Sequence, residues 1–291
     1  MDRRFRAFVL SCLVLVVSAC GGDGPGPVVV ALQPHKDPDR MLAERERLAS
    51  FLSERIDREV DVVVPSSSLV IVEGLRGGTI DIAYLSSSDL ARKRDAATLL
   101  LAGEIDGRTD YESLWVTTEE YDHDSVDDLR GRPVAFASRT STSGFVIPLW
   151  DLRQQGLIGP DGRPQDHFGE GNVLYGTGYV SAIEKVLAGE AEAAAVSAYV
   201  IEGNEHLDEA VRTRMRVVDR QGPVPTHVIA ARATLDTPTR DALRGALLAL
   251  DAAEHRDLRE ALFVSRLVEV DADEHLGDLG PAIEFAESIT D

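Results

Sequence analysis

From Val28 to Ala102, apolar runs of strand length alternate with helix-length segments, and this alternation restricts the fold more than any other feature of the chain. Val28 to Leu32 and Val60 to Val64 read as strands. Between them, Met41, Leu42, Leu48, Phe51, Leu52 and Ile56 recur at helical spacing across Asp39 to Ile56. Ser66, Ser67 or Ser68 caps a further helix through Leu75 that stops at Gly77-Gly78. Ile80 to Leu85 is a third strand, Ser86-Ser87-Ser88-Asp89 caps the next helix, and Leu99 to Ala102 is a fourth strand. A strand that follows another through a helix returns to the same end of the sheet, so the strands run parallel and helices cover both faces.

A second unit of the same kind follows. Strands are expected at Ser113 to Thr117, Val134 to Ala137, Val173 to Tyr175, Ala193 to Ser197, Met215 to Val218 and His227 to Ala230. Val126 to Leu129 reads as a helical turn, and Gly144 to Gln155, Val180 to Leu187 and Ala198 to Gly203 as helices. The loop from Gly156 to Gly171 is rich in Gly, Pro and Asp, and Asp166-His167 within it is expected at the surface. The remainder reads as helical, with Thr237-Pro238 opening one helix. In open α/β sheets ligands lie beyond the carboxyl ends of the strands. Three hydroxyl clusters fall there: Ser66 to Ser68, Ser86 to Ser88, and Ser141 to Ser143.

The third cluster carries the most chemistry. Ser141, Thr142 and Ser143 stand where a helix leaves its first N–H groups without intrahelical partners. Those amides and the positive dipole end converge on one spot, a ready anion site. Ordinary N-capping needs only one such hydroxyl; Gly144 after three of them lets the backbone approach a small ligand.

The ends and the charge bound the setting. Arg3, Arg4 and Arg6 precede an apolar run from Ala7 to Val17 that is too short to span a bilayer. Val17-Ser18-Ala19-Cys20 then resembles a bacterial lipoprotein signal, with Cys20 as the lipidated residue and Val17 where leucine is usual; a plain secretory signal is the alternative. Residues 1–20 are thus read as signal and 21–27 as a tether. Only Cys12 and Cys20 are present, so no disulfide remains after processing. The formal charge is −20, and removing the signal, which contributes a net +2, leaves about −22. That argues against nucleic acid or an anionic membrane surface as partner, but not against a small anion in a buried, screened site.

The chain resembles the phosphate, phosphite and phosphonate substrate-binding proteins of ABC transporters. The markers run in order: Gln33-Pro34 with Leu48 to Glu54; Val72-Glu-Gly-Leu-Arg-Gly-Gly-Thr-Ile-Asp-Ile-Ala-Tyr84; Tyr111-Glu-Ser-Leu-Trp-Val; Asp127 to Phe136 leading into Ser141-Thr-Ser-Gly144 and Pro148; Gly176 to Gly189 with Glu192 and Tyr199; and Pro223-Val-Pro-Thr-His227. The resemblance implies an α/β, two-lobed periplasmic-binding-protein-like fold of type II, each lobe a mixed, mostly parallel sheet flanked by helices. Residues 28–107 and 223–291 would form lobe one and residues 108–222 lobe two. It also implies a monomer that works with an ABC permease and ATPase in the membrane, held there by its lipid anchor.

In the family, the Ser-Thr-Ser segment and a tyrosine near the lobe crossover bind the oxyanion head group; Ser141, Thr142, Ser143 and Tyr111 match these. Elsewhere the chain departs. A family histidine falls on Tyr179, two acidic positions fall on Tyr199 and His227, and an aromatic position falls on Leu69. Acidic partners for a ligand amine are therefore missing, which favours phosphate, phosphite or an alkylphosphonate over an aminophosphonate. Arg139 is either an anion contact or a solvated turn residue, His227 a donor or a satisfied core group, and Tyr84 a packing or contact residue; His35 and Lys36 are candidates to line the cleft. The alternatives are the same fold with a sulfonate or pyrimidine-type ligand, or a sensor lipoprotein.

No enzyme signature accompanies this pattern. The chain lacks G-x-S-x-G, H-E-x-x-H and C-x-x-C motifs, and its seven histidines never share one element at metal-ligand spacing. Binding without chemistry, without a cofactor and without a metal is the expectation.

Overall fold

The computed structural model describes residues 26–33, 38–203, 207–262 and 264–289. The signal with Cys20, and His35 and Lys36, lie outside them. Eleven strands are present among the described residues: β1 (Val28–Leu32), β2 (Val60–Val63), β3 (Ile82–Leu85), β4 (Ala97–Glu104), β5 (Asp110–Thr118), β6 (Val134–Phe136), β7 (Val173–Tyr175), β8 (Ala193–Ser197), β9 (Met215–Pro225), β10 (Val228–Arg232) and β11 (Arg266–Val268). They form two sheets, six strands in the order β11-β4-β10-β3-β1-β2 and five in the order β7-β6-β8-β5-β9.

The alternation is realised in the β1, β2 and β3 unit. β1 pairs in parallel with both β2 and β3, and the connecting helices Pro38–Ile56 and Ser68–Gly77 lie on opposite faces. Leu48 and Leu52 of the first enter one core, and Ile71 and Leu75 of the second enter the other. Ser67 caps the second helix by accepting from the Val70 amide, and Gly78 ends it at φ 75°, a left-handed conformation that suits glycine.

Both sheets are less parallel than the alternation implies. β10 runs antiparallel to β3 and β4, and β11 antiparallel to β4. In the second sheet β6 is parallel to β7 and β8, whereas β5 is antiparallel to β8 and β9. The cause is the route of the chain. β5 and β10 are entered by short crossings from the other sheet rather than through a helix, and a short crossing reverses direction.

Those two crossings lie side by side. The first is a tight turn, Ile105 to Arg108, whose central residues Asp106 and Gly107 both have positive φ; Asp-Gly is a favoured pair for such a turn. The second runs through Thr226. Its amide donates to Thr109 O at 3.0 Å, and its hydroxyl lies 2.6 Å from Gly103 O and 2.9 Å from Thr109 O, tying the crossings together.

Three further readings are corrected. The 156–171 loop contains a helix, Pro164–Phe168, that buries Phe168, and His167 is buried rather than at the surface, with Nε2 3.0 Å from Val126 O. Burial lowers the His167 pKa below the usual histidine value. The C-terminal region is not all helical: β11 adds an edge strand that pairs with Glu104 to Ala102. Finally, β9 extends to Pro225, well past Val218, because β5 supplies a partner along its length.

Candidate functional site

The Ser141–Ser143 turn is built from the core outward. Phe136 ends β6, fully buried, and meets Trp115 of β5 at 5.2 Å and Phe145 at 5.3 Å between ring centres, both edge-on. Phe145 thereby pins the turn that follows β6. That turn is π-helical rather than α-helical: Val146 N donates to Ser141 O at 3.0 Å, and Ile147 N to Thr142 O. The wider turn precedes the helix Ile147–Gln154. Such π-turns concentrate at functional sites, since they displace side chains from helical register.

Gly144 is required here by space. A Cβ on it would meet Ala137 Cβ, and would lie 2.9 Å from Ser141 Oγ and 3.0 Å from Tyr179 Cε1. Its amide donates to Ser141 Oγ at 3.0 Å, the capping bond of the turn. The absent side chain lets Tyr179 close over the hydroxyls. Tyr179 opens the helix Tyr179–Leu187, with its phenol 2.8 Å from Ser143 Oγ and 3.3 Å from Ser141 Oγ.

Tyr111 reaches the same place from β5. It is hydrogen-bonded to Ser143, and its ring lies 4.8 Å from that of Tyr199. The fully buried Ser113 Oγ donates to Ser143 O at 2.6 Å and fixes the turn from below. Burial first, and the neighbouring tyrosines second, push the Tyr111 phenol well above the ordinary value; the bond to Ser143 opposes this. Burial likewise pushes Tyr84 up, and Tyr199 to about 12, with Asp106 and Asp110 adding to the latter. These phenols therefore stay neutral at physiological pH and can donate to an anion.

The other sheet contributes the opposite wall. Tyr84, at the end of β3, stacks on His227 with ring centres 5.4 Å apart. Ser86 caps the short helix Ser87–Arg92, and its own amide donates to Gln33 Oε1 at 2.8 Å. Ser88 Oγ receives the Thr142 hydroxyl at 2.8 Å, which joins the two hydroxyl clusters across the cleft.

Of the residues expected at the site, Ser141, Ser143, Tyr179 and Tyr111 meet around the turn, Tyr199 lies against Tyr111, Thr142 against Ser88, and His227 against Tyr84. The Arg139 guanidinium lies 4.2 Å from the centre of the Tyr175 ring, a cation–π contact, and that ring in turn packs on Phe145. Of Ser66 to Ser68, Ser67 serves as the cap of the helix Ser68–Gly77, and Leu69 is 67% exposed rather than packed in the cleft. The residues that sequence reasoning passed over are Ser88, Ser86 and Asp89 as partners of the turn. Their signal was present, since they form a hydroxyl cluster at a strand end.

No group of three or more His, Cys, Asp or Glu side chains that could hold a metal exists among the described residues, and no described helix is long and apolar enough to cross a membrane.

Comparison with known proteins shows the fold and the family. The fold is similar to that of XAC2383 from Xanthomonas citri bound to ATP, with a TM-score of 0.77 at 19% identity over 92% of this chain and 100% of that one. It is also similar to PhnD1 from Prochlorococcus marinus in complex with methylphosphonate, with a TM-score of 0.71 at 18% identity over 91% of this chain and 100% of that one. A phosphate-import protein, PhnD, of Mycolicibacterium smegmatis is 23% identical over 203 residues, spanning 64% of this chain and 63% of that relative's length. The sequence model of one family, described as the phosphonate ABC transporter periplasmic substrate-binding protein, matches residues 30–276. The chain belongs to this family of ABC-transporter substrate-binding proteins, which bind a substrate for import and are not enzymes.

Proposed function

We propose that the chain is the substrate-binding lipoprotein of an ABC importer and holds a small phosphorus oxyanion (phosphate, phosphite or an alkylphosphonate) between its lobes. The observation that carries this reading is the convergence of neutral hydroxyl donors on one point: the Ser141 and Ser143 hydroxyls and the Tyr111 and Tyr179 phenols. Such donors suit a tetrahedral oxyanion because each ligand oxygen can accept from several of them. Lobe one comprises residues 28–107 and 223–291, lobe two residues 108–222, and they close about the crossings at Ile105–Arg108 and Thr226. Tyr199 and His227 line the cleft beside the oxyanion subsite. Asp106 and Asp110 are the carboxylates that act on Tyr199, and Arg108 pairs with Asp110 at 2.5 Å; an ammonium substituent would have to share Asp110 with Arg108. Cys20 carries the lipid that keeps the protein, a monomer, beside its permease and ATPase.

Calorimetry on ligand-free, folded protein tests the reading. Phosphate, phosphite or methylphosphonate should bind saturably and more tightly than 2-aminoethylphosphonate. Failure of every phosphorus oxyanion to bind would overturn the ligand assignment.

A further inference from the structure

The hydroxyls on the two sides of the cleft form a chain with a forced direction. Ser86 Oγ lies 2.6 Å from Asp89 Oδ2, Ser88 Oγ lies 3.1 Å from Ser86 Oγ, and Thr142 Oγ1 lies 2.8 Å from Ser88 Oγ. A carboxylate only accepts, and a hydroxyl has one hydrogen to give. Ser86 spends its hydrogen on Asp89, so Ser88 must donate to Ser86, and Thr142 must donate to Ser88. Ser86 Oγ also accepts from the Asp89 amide at 3.1 Å, which holds its lone pairs away from the carboxylate and its hydrogen toward it. The chain is sheltered: Ser88 is 3% exposed, and Ser86 and Thr142 are only partly accessible.

We infer that Thr142 meets the ligand as a hydrogen-bond acceptor, so that the site reads a proton carried by the oxyanion. This rests on the oxyanion reading above. With its hydrogen committed to Ser88, the Thr142 hydroxyl turns only lone pairs toward the cleft, beside a linked set of hydroxyls in which Ser141 donates to Tyr179 and Tyr179 meets Ser143. A P–O–H group satisfies that acceptor while its other oxygens accept from the hydroxyl hydrogens that this set turns toward the ligand. Sulfate and sulfonates carry no proton near neutral pH; their oxygens would face the Thr142 lone pairs, acceptor against acceptor. A site built to pair with a ligand hydroxyl strongly rejects the analogue that lacks it. Ser88, Ser86 and Asp89 are positioning residues in this scheme, because they act through Thr142 and need not touch the ligand.

The test compares phosphate and methylphosphonate with sulfate and methanesulfonate by calorimetry, across a pH series, in the wild-type protein and in Ser88→Ala and Asp89→Asn. Wild type should prefer the phosphorus ligands by roughly a hundredfold or more. Its affinity for methylphosphonate should fall as pH rises through that ligand's second ionisation. Ser88→Ala frees the Thr142 hydrogen to point at the ligand, and Asp89→Asn supplies an amide donor that lets the chain reverse. Each should therefore reduce the discrimination by roughly tenfold or more, with sulfate gaining affinity. A gain of sulfate binding is a result that mere loss of structure would not produce, and the wild-type ratio and pH profile need no variant. Equal wild-type binding of sulfate and phosphate, or discrimination unchanged in a folded Ser88→Ala protein, would overturn the inference while leaving the oxyanion site in place. No binding of any of the four ligands by folded wild type would instead overturn the oxyanion reading itself.

Discussion

Thr142 Oγ1 lies 2.8 Å from Ser88 Oγ, and this contact links the helix start of one lobe to the helix start of the other. The contact places the turn, its phenolic neighbours and the opposite wall within reach of one small ligand. The donors on the turn are unequal. Ser143 is fully buried and hydrogen-bonded to both Tyr179 and Tyr111, whereas Ser141 is partly accessible, caps Gly144 and is farther from Tyr179.

Removing either hydroxyl takes a donor from a charged ligand, at a cost of about 1–3 kcal/mol. Ser143→Ala and Ser141→Ala should each weaken oxyanion binding by about tenfold or more. Ser143→Ala should be the more damaging for affinity. Ser141→Ala should in addition lower the melting temperature, because it removes a cap worth about 1 kcal/mol. Calorimetry paired with thermal unfolding separates the two; wild-type affinity in both variants would remove the turn from the site.

Gly144→Ala should abolish binding through geometry rather than through chemistry. The added methyl group would meet Ala137 Cβ, with Tyr179 Cε1 3.0 Å away. Ala137 is fully buried and cannot retreat, so the turn or Tyr179 must move. Overpacking of this kind costs about 1–3 kcal/mol of stability. The variant should remain folded by circular dichroism, melt a few degrees lower and lose most of its affinity. Undiminished affinity would show that the close approach of Tyr179 to the turn is not needed.

Much of this was legible in the sequence because it is local. The hydroxyl turn, the strand before it and the glycine after it are adjacent residues, and alternation placed them at the carboxyl end of a strand. Strand directions were less legible. Whether β10 runs with or against β3 depends on where the chain enters lobe one, and no periodicity within Val228–Arg232 encodes that. Ser88 was missed as a partner of Thr142 for the same reason, since their meeting is set by the angle between two sheets. His167 was misread because its Gly- and Pro-rich surroundings resemble a surface loop, while the burial of neighbouring Phe168 beneath Trp115 draws it inward.

The tyrosines give a pH signature. Tyr84, Tyr111, Tyr175 and Tyr199, four of the six in the chain, are each raised above the ordinary phenol value, chiefly by burial. A group whose pKa is raised by folding adds stability below its unfolded value and loses it as pH rises above that value. Stability should therefore decline above about pH 10. In an ultraviolet phenolate titration at least four tyrosines should lag the free amino acid and ionise together with unfolding. Simple titration of all six near the model-peptide value would contradict the buried aromatic cleft.

The reading of the amino-terminus predicts that the protein is recovered with membranes and carries label from a radioactive fatty acid. Cys20→Ala should lose the label and become soluble. Multiple acyl chains are needed for firm anchoring, so partial retention of an unlabelled variant is not expected. Label remaining on the Cys20→Ala protein would refute the lipidation site.

The C-terminal helix, Leu279–Ser288, packs both on the helix Ser87–Arg92, which follows β3, and on the helix Ile147–Gln154, which follows β6. Phe285 meets Trp150 of the helix Ile147–Gln154 at 6.2 Å between ring centres, and the Arg153 guanidinium lies 4.8 Å from the Phe285 ring centre and 4.9 Å from that of Trp150. On the other side Arg92 of the helix Ser87–Arg92 pairs with Glu287 at 2.9 Å, and because the Glu287 carboxylate is mostly exposed the pair is worth little. The apolar contacts therefore carry the connection, and Phe285, 5% exposed, is their centre. Phe285→Ala should cost about 3–5 kcal/mol of stability. Trp150 and Arg153 sit on the helix that continues the Ser141–Ser143 turn, so the loss should also loosen the closed arrangement and weaken the oxyanion affinity. Arg92→Ala should change stability by less than about 1 kcal/mol and leave affinity intact. Urea unfolding and calorimetry on the two variants check this. If Arg92→Ala proved as damaging as Phe285→Ala, the ion pair and not the aromatic contact would be holding the lobes together.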